Sequence, residues 1–329
     1  MVRGLTLGKF APLHRGHQLL IETGREESDE LTVLVYDAPD VTRIPVSVRA
    51  GWIRNLYPDV RVIEAYDCPL EVGESERVKK LHEDYILHTL GISSTDTFFS
   101  SEFYGEHMSV ALSAKHRIVD ADRKRLPISG TEIRKNPYEN RKYLSPIVYR
   151  DLIRKLVFLG GPSTGKSTLA EYCARTFQTE WQPEYGREYW ETFQVERRLT
   201  PDQLLELAQG HLEREEKQIL SSREFLFVDT NPITTYLFSL YYHGFAVDEL
   251  EALADQSRNR YDLFLLCDTD IPYEDTEDRS GDGNRIYFQE RTIEYLNSKE
   301  IQFETVSGSL NERLKQVEFL MKSLEPIFL

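Results

Sequence analysis

The chain has 329 residues, of which 40% are hydrophobic, and its 40 basic and 55 acidic residues give a formal net charge of −15. That is enough apolar material for two cores at roughly 100–200 residues per domain, and it argues against a disordered chain. An acidic surface repels nucleic acid and anionic membrane, so nucleic acid is not expected as a partner.

From the start of the chain, Met1 to Gly8 lacks the apolar core of a signal peptide, and nowhere does an apolar run reach the ~18 residues of a membrane-spanning helix. The three cysteines, Cys68, Cys173 and Cys267, match neither a disulfide framework nor a zinc site and read as free thiols of a reducing compartment. A soluble, cytoplasmic protein without membrane insertion is expected. Strand patterns at Leu5–Leu7, Leu31–Tyr36, Val60–Ile63, Thr97–Ser100 and Arg117–Val119 alternate with helical periodicity over Gln18–Glu27, Val46–Asn55 and Glu76–Leu90. Such alternation implies a parallel sheet covered on both faces.

Between the first strand and first helix lies Gly8-Lys9-Phe10-Ala11-Pro12-Leu13-His14-Arg15-Gly16-His17. His14 and His17 share one face of the first helical turn, where they can donate hydrogen bonds to phosphate at a helix N-terminus. No Cys, Asp or Glu nearby completes a zinc site, so phosphate is the better partner. Farther on, Ser129-Gly130-Thr131-Glu132-Ile133-Arg134 brings two hydroxyls and a guanidinium to a second helix start. Ser129 or Thr131 can cap that helix, or Thr131 can reach a phosphate, while Arg134 suits forked binding of phosphate oxygens.

Asn136-Pro137 and Ser145-Pro146 then interrupt the pattern, and a fresh strand at Lys155–Leu159 places a domain boundary near residues 145–153. Gly160-Gly161-Pro162-Ser163-Thr164-Gly165-Lys166-Ser167 follows that strand and opens the helix Ser167–Thr176. It fits the phosphate-loop pattern, in which inward backbone N–H groups cradle phosphates, the lysine reaches the outer ones and the hydroxyl ligates Mg²⁺. The run Phe225–Val228 ends in Asp229, which reads as the Mg²⁺ partner or the group orienting the accepting hydroxyl, with a helix-capping role as the alternative. Further strands are read at Leu263–Cys267 and Phe303–Val306. The polar segment Asp275–Arg285 reads as a lid whose Arg279 and Arg285 close on the transferring phosphate, or as a solvated loop. Pro183–Trp190 gathers aromatics with acid and base, and reads as a cup for a planar ring and ribose or as a buried aromatic turn.

His14-x-x-His17 and Ile128-Ser129-x-Thr131-x-Ile133-Arg134 together resemble the nucleotidyltransferase superfamily, whose corresponding segments grip nucleotide phosphates. Followed by a phosphate-loop kinase, they resemble the bifunctional nicotinamide-nucleotide adenylyltransferase and ribosylnicotinamide kinase family of the NadR type. Ser100-Ser101-Glu102-x-Tyr104-Gly105, Val119-Asp120-x-Asp122-Arg123 and Pro183-Glu184-Tyr185-x-Arg187-Glu188 extend the likeness over nearly the whole chain. The resemblance implies an α/β protein: a Rossmann-like nucleotidyltransferase domain over 1–148 and a P-loop kinase domain over 149–329, both with parallel sheets.

It further implies that the kinase half makes nicotinamide mononucleotide (NMN) from nicotinamide riboside and ATP. The first half would then join NMN to AMP, giving NAD and pyrophosphate. His14, His17, Arg134, Lys166 and Asp229 would be catalytic, with Mg²⁺ held by Ser167 and Asp229. Gly8, Lys9, Phe10, Ser129 and Thr131 would complete the first ATP site, and Gly161 to Thr168 (Gly161, Pro162, Ser163, Thr164, Gly165, Lys166, Ser167, Thr168) would form the second. Acceptor contacts would come from Ser101, Tyr104, Glu184, Tyr185 and Arg187, and from Trp52 stacked on nicotinamide unless that ring belongs to the core. Contact with a riboside transporter and oligomerisation are open to such a protein. Some relatives carry an N-terminal DNA-binding helix-turn-helix, whereas this sequence opens on its catalytic strand, so no regulatory DNA binding is expected. Two rivals remain: a pantetheine-phosphate adenylyltransferase fused to a dephospho-coenzyme A kinase, and a non-catalytic sensor of NAD or ATP.

Overall fold

The computed structural model describes residues 1–102, 105–196, 198–272 and 282–329. Its contacts divide the chain into two compact units, Met1–Tyr149 with Pro326–Leu329, and Arg150–Glu325.

In the first unit the order is β1 (Arg3–Gly8), α1 (Arg15–Glu27), β2 (Glu30–Tyr36), α2 (Val46–Leu56), β3 (Arg61–Ala65), α3 (Glu76–Asp84), β4 (Thr97–Ser100), α4 (Glu106–Ala111), β5 (Lys115–Ile118), α5 (Gly130–Lys135) and α6 (Pro146–Tyr149). The strands form one parallel sheet in the order β3-β2-β1-β4-β5. β2 is apolar throughout its middle because helices cover both faces, and Leu31, Val33, Leu34 and Val35 are all buried. Two elements differ from the sequence pattern. β5 begins at Lys115, ahead of the Arg117 expected from the pattern, and the helix expected over Glu76–Leu90 changes at Tyr85 into a π-helical turn, Tyr85–Thr89. The last residues return to this unit: Arg43 donates its amide to Ile327 O at 2.8 Å, and Leu329 donates to Val41 O at 3.0 Å.

The second unit runs β6 (Arg154–Leu159), α7 (Lys166–Phe177), β7 (Glu180–Gln182), α8 (Gly186–Phe193), α9 (Pro201–Ile219), β8 (Phe225–Asp229), α10 (Pro232–His243), α11 (Asp248–Gln256), β9 (Leu263–Cys267), α12 (Asp282–Ser298), β10 (Glu304–Val306) and α13 (Leu310–Ser323). Its sheet is also parallel, in the order β10-β9-β6-β8-β7. The core between sheet and helices gathers Leu156, Phe158, Leu169, Phe227, Leu265 and Val317. Side chains set the helix starts: Thr200 and Gln203 form a reciprocal cap on α9, and Ser309 and Glu312 do the same on α13. Among the described residues no helix is long and apolar enough to cross a membrane.

Candidate active sites

β1 pairs with β2 on one side and β4 on the other, and this change of direction opens a crevice at the carboxyl ends of the strands. A cavity of about 380 Å³ is lined there by Gly8, Lys9, Phe10, His14, His17, Ser101, Ser129, Thr131 and Arg134, among others. His14 caps α1, its Nδ1 accepting the Gly16 amide at 3.1 Å, and the His17 side chain reaches back to the His14 amide. The two rings stack with centroids 3.7 Å apart.

A neutral imidazole carries one proton, so an accepting Nδ1 leaves Nε2–H of His14 as the donor. Burial, reinforced by the Arg123 and Arg134 charges, lowers the His14 pKa to about 4, and burial and His14 lower that of His17 well below its usual value. The pair therefore meets phosphate as neutral hydrogen-bond donors at pH 7.

The second phosphate segment converges on the same space. A Cβ at Gly130 would lie 3.1 Å from Arg134 Nη1 and 3.9 Å from His14 Nε2, so glycine keeps the gap between them open. Arg134 is aimed by hydrogen bonds to Ala11 O at 2.9 Å and Thr131 Oγ1 at 3.1 Å. Ser129, rather than Thr131, caps α5, in a reciprocal pair with Glu132. Lys9 is paired with Asp40 at 2.9 Å.

Sequence reasoning missed Arg49, which is fully buried and donates to Lys9 O, Tyr36 O, Ile44 O and Asp37, pinning the loop from behind. Arg123 was quoted only as part of a likeness, yet it lines the cavity. Trp52 is a correction: it is 1% exposed and absent from the cavity wall, because the apolar stripe of α2 (Val46, Ala50, Ile53) turns that side of the helix inward. Tyr104 lies outside the described residues.

In the second unit the phosphate loop joins β6 to α7 beside a cavity of about 520 Å³ lined by Pro162 to Thr168, Glu184, Arg187, Trp190 and further residues of α9 and α10. Lys166 Nζ folds onto its own loop, donating to Gly160 O at 3.0 Å and Gly161 O at 2.9 Å. A Cβ at Gly161 would run into the Arg285 carbonyl oxygen, so only glycine passes α12 there. Gly161 does not line the cavity; its amide donates to Gln289 Oε1 at 2.9 Å.

Asp229 ends β8 beside Phe158 of β6, with no exposed surface and no hydrogen-bond partner for either carboxylate oxygen. Burial, then the Glu184 charge, pushes its pKa up to about 7 against the pull of Lys166 and Ser167. An orphaned carboxylate beside the loop's hydroxyl fits a divalent cation. Among the described residues no group of three or more His, Cys, Asp or Glu side chains could hold a metal, so such an ion would take most ligands from phosphates and water, as Mg²⁺ does.

Two expectations here are corrected. Arg285 is not on a lid over the phosphates: it sits in α12, 3% exposed, and donates to Thr269 O and Ile271 O, both at 2.7 Å, because helix packing carries it beneath the loop that follows β9. Arg279 lies outside the described residues. Tyr185 does not line the cavity; its ring packs on Gly210 under the Arg214 guanidinium, 3.8 Å away, and Trp190 of the same segment faces the cavity instead. The structure also adds Arg313, a buried α13 side chain that donates to Thr164 O at 2.7 Å, to Asp268 O and Gly308 O, and to Asp270. No local motif announced it, since its partners lie far off in sequence.

The Cytidylyltransferase-like family matches residues 5–136 and the AAA domain family residues 155–313. The chain is 28% identical over 330 aligned positions to the trifunctional NAD biosynthesis/regulator protein NadR of Escherichia coli (strain K12), covering 91% of this chain and 77% of that protein. It is 29% identical over 159 positions to the nicotinamide-nucleotide adenylyltransferase of Methanoculleus marisnigri (strain ATCC 35101 / DSM 1498 / JR1), covering 47% of this chain and 92% of that one. Among solved structures, a NadR protein in complex with NR superposes with a TM-score of 0.60 at 22% identity, covering 97% of this chain and 95% of that one. A NadR protein in complex with NAD and AMP-PNP gives 0.58 at 20%, covering 98% and 95%. With both sheets, both phosphate segments and these matches along nearly its full length, the chain is similar to NadR-type proteins and shares their two-unit fold.

Proposed function

We propose that this protein makes NAD in two ATP-consuming steps: it phosphorylates nicotinamide riboside to NMN in the second unit and adenylylates NMN in the first. The observation that carries this reading is one chain with two phosphate cradles, each after the central strand of its sheet, matched over 91% of its length to a NadR relative.

In the kinase step the riboside 5′-hydroxyl oxygen bonds to the γ-phosphorus of ATP and the bond to ADP breaks. Glu184 is the one carboxylate among the described lining residues, which supports it as the group that takes the hydroxyl proton. The loop amides and Lys166 hold the phosphates in line, which supplies most of what phosphoryl transfer needs. Ser167 and Asp229 would hold Mg²⁺, whose charge offsets that of the phosphates when bound. In the adenylyl step an NMN phosphate oxygen attacks the α-phosphorus and pyrophosphate departs. His14, His17 and Arg134 stabilise its growing charge through oriented N–H donors.

Incubation with nicotinamide riboside, ATP and Mg²⁺, followed by chromatography, should show NMN and then NAD with pyrophosphate. Turnover of dephospho-coenzyme A with none of the riboside would sink the reading. Lys166→Ala should abolish riboside phosphorylation while supplied NMN is still adenylylated, and His17→Ala should do the reverse.

A further inference from the structure

Two polar groups on the wall of the kinase cavity are used by neither step above. Asn231 follows Asp229 by two residues and caps α10, its Oδ1 accepting the Ile233 amide at 3.1 Å. That bond settles which arm of the amide is which, so Nδ2 must be the other arm, with two N–H donors. Nδ2 is buried and has no hydrogen-bond partner, and the residue is 2% exposed. His211 lies on the α9 face that also carries Leu204 and Leu207, seven and four residues before it along one side of the helix. Its Nε2 is likewise buried without a partner. Both residues line the same cavity as Lys166 and Glu184.

Folded proteins rarely leave buried polar atoms unpaired, and a pair of them on one ligand cavity calls for a ligand that completes both. Asn231 stands next to the transfer site, because it is only two residues past Asp229, the end of β8. His211 sits against the backbone of Thr230, the residue between them. The apolar part of the wall, which includes Leu204, Leu207, Leu237, Phe238 and Phe288, suits a ring but offers a sugar no hydrogen bond.

We propose that Asn231 and His211 bind the ribose hydroxyls of the acceptor nucleoside and so select ribosides over deoxyribosides. Asn231 Nδ2 donates to one hydroxyl oxygen. The neighbouring hydroxyl, able both to donate and to accept, satisfies His211 Nε2 in either tautomer. This inference rests on the kinase reading of the second unit.

The test measures acceptor KM and ATP KM for the full chain with nicotinamide riboside, adenosine and uridine, and with their 2′-deoxy and 3′-deoxy forms. Asn231→Ser keeps a helix-capping oxygen and removes the amide donors; His211→Leu removes the ring nitrogen, and His211→Gln restores a polar atom. Asn231→Ser and His211→Leu should each raise the riboside KM about tenfold with ATP KM unchanged, the loss expected for one hydrogen bond. Their preference for ribose over deoxyribose should collapse, and His211→Gln should recover part of it. Unchanged preference in both variants would overturn the proposal. Should the wild type phosphorylate adenosine or uridine but not nicotinamide riboside, the acceptor assignment falls, and the same ratios still decide the hydroxyl contacts. If it phosphorylates no riboside, both fall. Should Asn231→Ser fail to fold, the His211→Leu and His211→Gln pair decides alone.

Discussion

Asp229 has a buried carboxylate that the ligand-free fold leaves without a hydrogen bond, and burial, then the Glu184 charge, pushes its pKa up to about 7. A folded pKa raised above the unfolded value means the folded state holds the extra proton. The penalty is therefore full above pH 7 and relieved as the pH falls toward the ordinary carboxylate range. Asp229→Asn should raise the stability of the ligand-free protein at pH 8 by on the order of 1–3 kcal/mol, with a gain that shrinks toward pH 5, while riboside phosphorylation is lost. Thermal denaturation across that range checks it, and a gain that grew on acidification would refute it. His14 and His211 behave oppositely. Each is lowered to about 4, chiefly by burial, so the stability tied to their neutral rings is whole above pH 6.5 and lost as pH falls toward 4. Unfolding midpoints should drop through that window by an amount on the order of 2–3 kcal/mol per ring, and His14→Gln should flatten the part belonging to the first unit. Of these residues His14 and Asp229 were legible, because each sits at the edge of a recognisable strand and loop. His211 was not, because on a helix with apolar neighbours a histidine looks like any core residue.

Helices hold both phosphate loops from behind, each through a buried arginine: Arg49 of α2 binds the Lys9 carbonyl, and Arg313 of α13 binds the Thr164 carbonyl. A guanidinium has donors enough to tie several carbonyls at once, which an ammonium cannot match. Arg313→Met should cost about 3–5 kcal/mol because the Thr164, Asp268 and Gly308 carbonyls and Asp270 all lose a donor at once, and Arg313→Lys should recover little. Urea midpoints read the stability. A rise in ATP KM for the kinase step, with adenylylation of NMN intact, separates loss of loop geometry from general unfolding. At this scale β2, β6 and β8 were plain in the sequence, since burial on both faces produces unbroken apolar runs. β7 has only Glu180, Trp181 and Gln182 and no such run, and its pairing with β8 makes it a strand.

The whole chain is two sheets in series, and its last residues do not stay with the unit that precedes them. Thr42 Oγ1 donates to Ile327 O at 2.9 Å, and Thr42 bridges Phe328, so Pro326–Leu329 completes the first unit. Deleting residues 326–329 should lower the stability of that unit by about 1–3 kcal/mol and weaken adenylylation at raised temperature, with riboside phosphorylation unaffected. Separate assays of the two steps after heating would show it, and equal loss of both would disprove it. The presence and order of the two phosphate cradles could be read from sequence alone, because turning backbone amides toward phosphate needs glycines, hydroxyls and basic residues at short, fixed spacing. Which distant side chains complete those cradles was decided only by the tertiary structure. Trp52 and Arg285 went inward, and Asn231 and His211 came to one cavity, because burial depends on packing partners that lie far apart in the chain.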